Sequence, residues 1–413
     1  MILMTKNHIA MQVRSIFILA FITALMAGCK APQSGFEVTN KVDEPVQDKA
    51  IVLTYEDVNQ YLPGDIGSNY IVVVDADGNH MPSQCDDLDK DGNWDELAFL
   101  VDLAKGETKK LYFNSVPKSE VPDYPKRTNV RFGYKDEPYV EVTDEARLKS
   151  TDSPTISEVF QMEGPAWEND KVGFRNYYDA RNGIDIYGKR TEEMVLDSAG
   201  IRGQNYHEMD DWGMDILKVG NSLGAGAIGI RLNDKVTRVG ECEKGTYEFV
   251  TEGPVRAILK LNYFGVPVEN RTYDITHRIA IYAGDLFYRS EVYVEGLQGD
   301  EELVTGIVNM NQKNAFEMQE GDFNILASHG SQAYLGENLG MAVLVPGGSF
   351  VETWKAPEEG EGIVETHMVA IGLSAGQPAR YYFLSGWEYQ EEGFENEKYF
   401  RDQVAHAAKK LSN

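Results

Sequence analysis

The segment from residue 167 to 189 combines basic, aromatic and acidic residues at a spacing that could bind an anion or move a proton. It reads WENDKVGFRNYYDARNGIDIYGK. Two guanidinium groups on one face of a strand could bind a carboxylate through paired hydrogen bonds. A solvated, salt-bridged surface has the same composition, so both interpretations stay open. Because side chains alternate across a strand, an extended conformation would place these residues on one face: Arg175, Tyr177, Asp179 and Arg181.

A second segment, from residue 206 to 229, places a histidine among carboxylates and aromatic rings. It reads YHEMDDWGMDILKVGNSLGAGAIG. His207, with Tyr206 beside it, could act as a general acid or base, and Trp212 could stack on a sugar ring. The tryptophan and the two methionines could equally be core residues. The glycine-rich end lacks both the P-loop lysine and the dinucleotide-binding spacing, so a nucleotide site is not predicted.

Two adjacent apolar stretches, 271–283 and 286–295, predict a pair of long strands. His277 alternates in step with the isoleucines of its strand, which predicts a core histidine and not a catalytic one. The opposite face is polar and carries Arg278, with Glu291 on the next strand. Such a face could form the floor of a sugar cleft or could simply face water.

The segment from Asp87 to Glu96 has the acidic spacing of a short calcium loop. Gly92 permits the sharp turn, and hard oxygen ligands at this spacing suit Ca²⁺. Position 12 of the loop is Ala98, so the segment differs from an EF-hand. We therefore predict a structural ion that fastens a hairpin, with an ion-free acidic turn as the alternative. The expected ligands are Asp87, Asp89, Asp91, Asn93 and Asp95.

The overall charge limits the partners that the chain can have. The 66 acidic and 39 basic side chains give a net charge of −27, which argues against nucleic acid as a partner. An acidic ligand would need a locally basic pocket. The sequence has no Gly-x-Ser-x-Gly elbow and no His-Glu-x-x-His motif, which disfavours serine hydrolases and zinc proteases. We predict no organic cofactor.

The first thirty residues predict export and lipidation. A short apolar run, Ile16–Met26, follows Lys6 and Arg14 and precedes a small-residue pair and Cys29. We interpret residues 1–28 as a lipoprotein signal peptide and 29–45 as a tether, with Cys29 as the lipidated residue and a periplasmic or outer-membrane location. The membrane would be contacted only through this lipid, and an ordinary signal peptide is the alternative.

Short alternating runs separated by turn residues predict an all-β protein. Residues 46–125 are expected to form a small N-terminal β-sandwich, and 129–413 a large antiparallel β-sandwich catalytic domain. The helix predicted with most support is C-terminal: Phe400, Val404, Ala407 and Leu411 recur at helical spacing, with Asn396 as the cap. Cys85 and Cys242 could pair or remain buried thiols, and the oligomeric state is not indicated.

Together, the two polar segments, the stretch YAGDLFYRSEVYVEG and the earlier PSQCDDLDKDGNWDELAFLVDL resemble domain-of-unknown-function family 4861. The resemblance covers nearly the whole chain after the signal. It implies an exported protein of a marine bacterial polysaccharide-utilisation locus with a galactose-mutarotase-like sandwich. It further implies an ulvan oligosaccharide dehydratase, a hydro-lyase that removes water from a non-reducing-end uronic acid and leaves a 4,5-unsaturated uronyl end.

We assign roles in that reaction by chemistry. Arg175 and Arg181 would hold the uronate carboxylate, and His207 with Tyr206 or Tyr178 would supply the acid and base. The residues expected to bind the rest of the substrate are Trp167, Trp212, Lys218, Arg278 and Glu291. Three alternatives stay open: a polysaccharide lyase that uses the same elimination, a sugar mutarotase or epimerase, and a non-catalytic glycan-binding lipoprotein.

Overall fold

The computed structural model describes residues 35–62, 64, 66–147 and 159–412. The predicted signal peptide, the lipidation site Cys29 and the first part of the predicted tether lie outside these residues. Within them the chain is nearly all β, as the alternating sequence pattern predicted. None of the described helices is long and apolar enough to cross a bilayer.

The N-terminal unit is a small sandwich of two antiparallel sheets. Its elements are β1 (Phe36–Thr39), β2 (Val46–Thr54), α1 (Tyr55–Asn59), β3 (Tyr70–Asp75), β4 (His80–Met81), β5 (Ser83–Asp86), β6 (Glu96–Leu103) and β7 (Thr108–Val116). The sheet orders are β1-β7-β3-β4 and β2-β6-β5, and an apolar core joins the two sheets. Strand β1 falls inside the predicted tether. It forms because Phe36 and Val38 pack into this core while β1 pairs with β7.

The large unit contains the remaining strands and the C-terminal helix. The elements are β8 (Thr128–Arg131), β9 (Asp144–Arg147), β10 (Ala166–Asn169), β11 (Gly173–Asn176), β12 (Ile184–Lys189), β13 (Gly213–Asp215), β14 (Gly229–Leu232), β15 (Lys235–Arg238), β16 (Lys244–Thr251), β17 (Arg256–Val268), β18 (Arg271–Tyr282), β19 (Phe287–Glu295), β20 (Glu302–Val308), β21 (Phe316–Glu320), β22 (Phe323–Ser331), β23 (Asn338–Pro346), β24 (Phe350–Lys355), β25 (Thr366–Gly372), β26 (Ala379–Trp387) and α2 (Glu397–Ser412).

Three antiparallel sheets build this unit into a sandwich. A nine-stranded sheet has the order β21-β22-β23-β26-β19-β18-β17-β16-β9. Two five-stranded sheets, β13-β12-β11-β10-β8 and β15-β14-β20-β25-β24, share one apolar core with its inner face. His277 lies in that core with 1% of its surface exposed, and its Nε2 is 2.7 Å from Ser290 Oγ. The prediction of a core histidine is therefore confirmed.

Two elements cover parts of the outer face of the nine-stranded sheet. Helix α2 packs Phe400, Val404 and Ala407 against β22, β23 and the end of β26. The Asn396 side chain accepts a hydrogen bond from the amide of Lys398 at 2.8 Å, which confirms the predicted cap. Farther along the face, the sheet β2-β6-β5 of the N-terminal unit packs on β17 and β18.

Cys85 and Cys242, which lie in the described part of the chain, are not joined by a disulfide. Cys85 and Cys242 lie in separate apolar clusters, one in each unit. Burial raises the pKa of the Cys85 thiol to about 12, so this thiol is protonated at neutral pH and is a poor nucleophile. Of the two interpretations of the sequence, the structure has the one in which no disulfide joins these two cysteines.

Candidate active site

One face of the five-stranded sheet β13-β12-β11-β10-β8 carries charged residues that are completely covered. Residues 190–212 pack over this face through Val195, Leu196 and Ala199. Beneath them, Lys189 Nζ lies 2.6 Å from a carboxylate oxygen of Glu168, and both side chains are fully buried. Buried charges are unfavourable unless they are paired, so this face is built around specific ion pairs.

Arg175 is the centre of the second buried cluster on this face. Strand pairing places it directly opposite Asp185, and its Nη2 donates to Asp185 Oδ2 at 2.5 Å. The same nitrogen lies 3.3 Å from Asp215 Oδ2, and Nη1 donates to the Met162 carbonyl at 2.9 Å. The guanidinium is completely buried. Arg175 thus neutralises the carboxylates of the protein itself and has no face open to a ligand.

The two aspartates beside Arg175 form an interacting pair. Burial, and then the charge of Asp185, raise the pKa of Asp215 well above its ordinary value. Asp215 therefore keeps a proton at pH values where an exposed aspartate has lost it. Asp185 Oδ2 also accepts a hydrogen bond from the Tyr177 hydroxyl at 2.9 Å. The cluster thus holds a proton next to a buried cation.

His207 connects this buried cluster to the solvent. Its Nδ1 lies 3.4 Å from Asp215 Oδ2, and 53% of its side chain is exposed. Partial burial, and then the Arg175 charge, lower the pKa of His207 below 6.5, so the imidazole is neutral at neutral pH. A neutral, accessible imidazole backed by a carboxyl group has the arrangement of a general base with an orienting partner.

A cavity of about 710 Å³ opens in front of His207. Its walls include Tyr206, Glu163 and Arg202. The Tyr206 hydroxyl is 3.4 Å from Arg175 Nη1, and burial raises the pKa of Tyr206, so the hydroxyl keeps its proton. The Arg202 guanidinium lies 5.7 Å from the centre of the Tyr139 ring, and no carboxylate of the described residues lies within ion-pair distance of it. The cavity therefore offers a base, a proton donor and an unpaired cation.

Arg181 and Tyr178, two other residues with predicted catalytic roles, have different positions. The Arg181 guanidinium is partly exposed and pairs with Asp179 at 2.6 Å and with Glu163 at 3.6 Å, stacked over Tyr177. Tyr178 is buried, and its hydroxyl donates to the Glu145 carbonyl. Strand β11 ends at Asn176 and Tyr178 lies in the turn that follows. Residues 175–181 therefore do not form the single strand face expected from the sequence.

The two predicted stacking tryptophans also differ. Trp167 was expected to contact substrate, but it is fully buried in the sandwich core, where its ring packs on Phe174 and Tyr288. Neither face of Trp167 can therefore receive a sugar. Trp212 is half-buried at the end of the covering segment and lies 6.0 Å from the Tyr187 ring. Lys218 is exposed, two residues beyond the start of the next loop.

Arg278 and Glu291 lie far from this cavity, on the outer face of the nine-stranded sheet. They are direct cross-strand partners, and Arg278 Nη1 donates to Glu291 Oε2 at 2.8 Å. The other Glu291 oxygen accepts from Arg380 Nε at 2.9 Å. Each charge thus has a partner within the sheet, as in a salt-bridged surface.

The acidic loop after β5 brings three carboxylates together. One oxygen each from Asp87, Asp89 and Asp95 lies within 4.8 Å of the others. Asp91 Oδ1 instead accepts from the Asn93 amide at 2.7 Å, and Gly92 has a φ of 93°, which favours glycine. The three convergent carboxylates fit a calcium ion, whereas Asp91 and Asn93 are engaged with each other.

The sequence analysis missed Asp185, Asp215, Glu163 and Arg202. Asp185 faces Arg175 only because β11 and β12 pair in one particular register, and Asp215 joins them from β13. The one available signal was the length of the turn between β11 and β12, which limits the possible partners of Arg175. Arg202 lies in an irregular loop whose position depends on packing against distant residues.

Known proteins resemble this chain both in sequence and in structure. An uncharacterized protein named P7 from Formosa agariphila is 24% identical over 359 residues, which cover 81% of this chain and 82% of that protein. An alpha-mannosidase from Enterococcus faecalis V583 has a TM-score of 0.43 at 11% identity, covering 90% of this chain and 45% of that chain. A glycosyl hydrolase family 38 protein from Enterococcus faecalis has the same TM-score at 9% identity, covering 90% and 46%. The present chain thus spans slightly under half the length of these two solved structures. The family itself is clear, because residues 38–413 match it: the chain belongs to the family described as "Domain of unknown function (DUF4861)".

Proposed function

We propose that this protein is an oligosaccharide dehydratase that eliminates water from the non-reducing-end uronic acid of acidic, ulvan-type oligosaccharides. The observation that carries the proposal is the neutral, accessible His207 with Asp215 behind it, at the wall of a cavity large enough for a sugar. The proposed chemistry is also the one that the family resemblance implies. The protein would be a hydro-lyase without an organic cofactor.

In the proposed reaction His207 removes the C5 proton of the uronate. For this step Nδ1–H donates to Asp215 and Nε2 accepts the proton; the 3.4 Å separation needs only a small movement to become a hydrogen bond. The electrons of the C5–H bond form the C4–C5 double bond as the C4–O bond breaks. The Tyr206 hydroxyl gives its proton to the leaving oxygen, which departs as water. Arg175, 3.4 Å from that hydroxyl, stabilises the resulting tyrosinate.

The substrate carboxylate must be neutralised for its C5 proton to become acidic enough to remove. Arg175 is completely buried and pairs with Asp185 and Asp215, and Arg181 is paired with Asp179 and Glu163. Arg202 lines the same cavity and has no such partner among the described residues. We therefore assign carboxylate binding to Arg202, with Arg181 as the nearest second cation.

Two further expectations from the sequence stay proposals. Asp87, Asp89 and Asp95 would hold a structural Ca²⁺ that stabilises the hairpin between β5 and β6, away from the cavity. The export signal and the lipid on Cys29 would place the protein in the periplasm or on the outer membrane.

The test is incubation with ulvan oligosaccharides that carry a uronic acid at the non-reducing end. Ultraviolet absorbance reports the new double bond, and mass spectrometry reports the loss of one water without chain shortening. Shortened chains with the same absorbance would mean a lyase instead. No change in either signal, with bound oligosaccharide, would mean a binding protein.

The role of His207 is tested with His207→Gln against a matched control, His80→Gln, whose histidine is exposed in β4 of the N-terminal unit. We expect His207→Gln to reduce kcat/KM by about 100-fold or more, which is the usual contribution of a general base, and the control to keep full activity. In the unmodified protein, kcat/KM should fall as the pH drops through the lowered pKa of His207. Full activity of folded His207→Gln would remove this residue from the mechanism.

A further inference from the structure

A second cavity, here called the junction cavity, lies where three parts of the protein meet. Its volume is about 710 Å³, and it shares no lining residue with the cavity at His207. Gln47 comes from the N-terminal unit, Lys189 and Arg190 from the end of β12, and Gln403 and Lys410 from helix α2. A cavity of this size accepts one or two sugar units.

Ion pairs hold the three parts around the junction cavity. Arg127 donates to both oxygens of Asp48 at 2.8 Å and to Asp170 at 2.6 Å, which ties the N-terminal unit to the sandwich. Lys410 of α2 lies 2.7 Å from Asp285 in the β18–β19 turn. Both members of this second pair are nearly fully buried. The cavity is therefore a built feature of the fold and does not depend on a loose surface loop.

The carboxylates that line the junction cavity are engaged within the protein. Asp285 lies 2.7 Å from Lys410 and 3.4 Å from Arg289. Glu192 lies 2.6 Å from Lys171, and Glu391 accepts a hydrogen bond from the Tyr399 hydroxyl. These carboxylates therefore repel an incoming anion less than unpaired carboxylates would.

Another cation lines the same cavity from the sandwich. Arg190 is exposed, and in the described part of the chain no carboxylate lies within 4.0 Å of its guanidinium. The carboxylates Asp48 and Asp170 are both taken up by Arg127. In a protein with a net charge of −27, such a site is one of few that can attract an anion.

The uncharged part of the lining suits hydroxyl groups. The side chains of Gln47, Gln390 and Gln403 come from different elements and offer both amide donors and carbonyl acceptors. Leu286 adds a partly exposed apolar contact, whereas Phe287 is buried in the core beneath the cavity. We propose that the junction cavity is a second binding site, which takes a saccharide unit bearing a sulfate or carboxylate group, with that group at Arg190 and Lys410. This site does not depend on the elimination chemistry proposed for His207.

The test uses isothermal titration with three disaccharides of equal length. One is glucuronyl-N-acetylgalactosamine, the second is its 4-sulfated form, and the third is neutral lactose. Titrations are run with the full chain and with Arg190→Gln, an exposed substitution that leaves the buried ion pairs intact. Arg202→Gln serves as the matched variant, because it removes a cation from the other cavity.

We expect the charged disaccharides to bind and lactose to bind at least tenfold more weakly. Arg190→Gln should weaken one binding event by about tenfold, the effect of losing one charged hydrogen bond, while Arg202→Gln leaves that event unchanged. Binding of the sulfated form alone assigns the anion as sulfate, and equal binding of both charged forms assigns a general anion site. Equal binding of lactose, or an unchanged affinity in Arg190→Gln, would overturn the proposal. Because activity is not measured, failure here is separate from failure of the dehydratase function.

Discussion

Burial of His277 predicts a specific loss of stability on acidification. The ring is 1% exposed in the sandwich core, and burial lowers its pKa from 6.5 to about 3. Its one hydrogen bond, to Ser290 Oγ, does not require a charged ring. The folded protein therefore keeps His277 neutral at pH values where the unfolded chain has protonated it.

The sign and the size of the effect follow from proton linkage. Between pH 6.5 and about pH 3 the unfolded chain binds one proton at this position that the folded chain does not bind. The stability that neutral His277 allows is complete above pH 6.5 and is lost as the pH falls below that value. Each pH unit well below the unfolded pKa corresponds to about 1.4 kcal/mol, and the unfolded ring is half protonated at pH 6.5, so lowering the pH from 6.5 to about 4.5 should cost about 2 kcal/mol.

The assay is urea unfolding, followed by tryptophan fluorescence at both pH values, for the natural protein and for His277→Gln. The variant loses some stability at both pH values because its packing changes, but only the difference between the two pH values matters. That difference should be about 2 kcal/mol smaller in His277→Gln, and unchanged in the exposed-site control His80→Gln. Identical pH dependence in His277→Gln and the natural protein would refute the reasoning. The same measurement separates acid unfolding from the acid limb of activity expected for His207.

Four further predictions concern the candidate active site and the acidic loop. Arg175→Met should lower the free energy of unfolding in urea by about 3 to 5 kcal/mol, because it leaves buried aspartates without their cation. Arg181→Met, at a partly exposed guanidinium, should lower it by about 1 kcal/mol or less. Equal losses in the two variants would contradict the buried cluster. Asp215→Leu, which removes the acceptor for His207 Nδ1–H, should lower kcat by about 100-fold with a circular dichroism spectrum like that of the natural protein, and unchanged kcat would exclude Asp215 as the partner of His207. Arg202→Gln should raise KM about tenfold with little change in kcat, as measured by initial rates, and an unchanged KM would reassign the carboxylate to another cation. Chelation with EGTA should lower the melting temperature of the natural protein and should have little effect on that of Asp89→Asn. If EGTA changes the melting temperature of neither protein, the loop does not hold a calcium ion.

Local patterns in the sequence predicted those features that depend on neighbours along the chain. Alternation of apolar residues predicted the strands, and the i, i+4, i+7 recurrence with Asn396 predicted helix α2 together with its cap. The same alternation placed His277 in the core. These predictions hold because a strand or helix repeats its geometry every few residues, and the burial of one face imposes the same period on the sequence.

Local sequence patterns do not predict the contacts of the candidate site. The contacts around Arg175 depend on β11, β12 and β13 pairing in one register, which makes an expected ligand-binding arginine a buried partner of Asp185 and Asp215. Trp167 likewise looked available for stacking, but the second sheet covers it completely. Neither outcome has a local signature, because the partner residues come from separate strands.

The sequence by itself thus determined the all-β class, the C-terminal helix, the core position of His277 and membership of the family, since each depends on short-range periodicity or on extended similarity. The tertiary structure alone decided that His207 meets Asp215, that Arg202 at the same cavity has no carboxylate partner among the described residues, and that Lys410 reaches Asp285 at the junction of three parts. Those contacts join residues distant in the chain, and their energies depend on burial and on the charges brought together by folding.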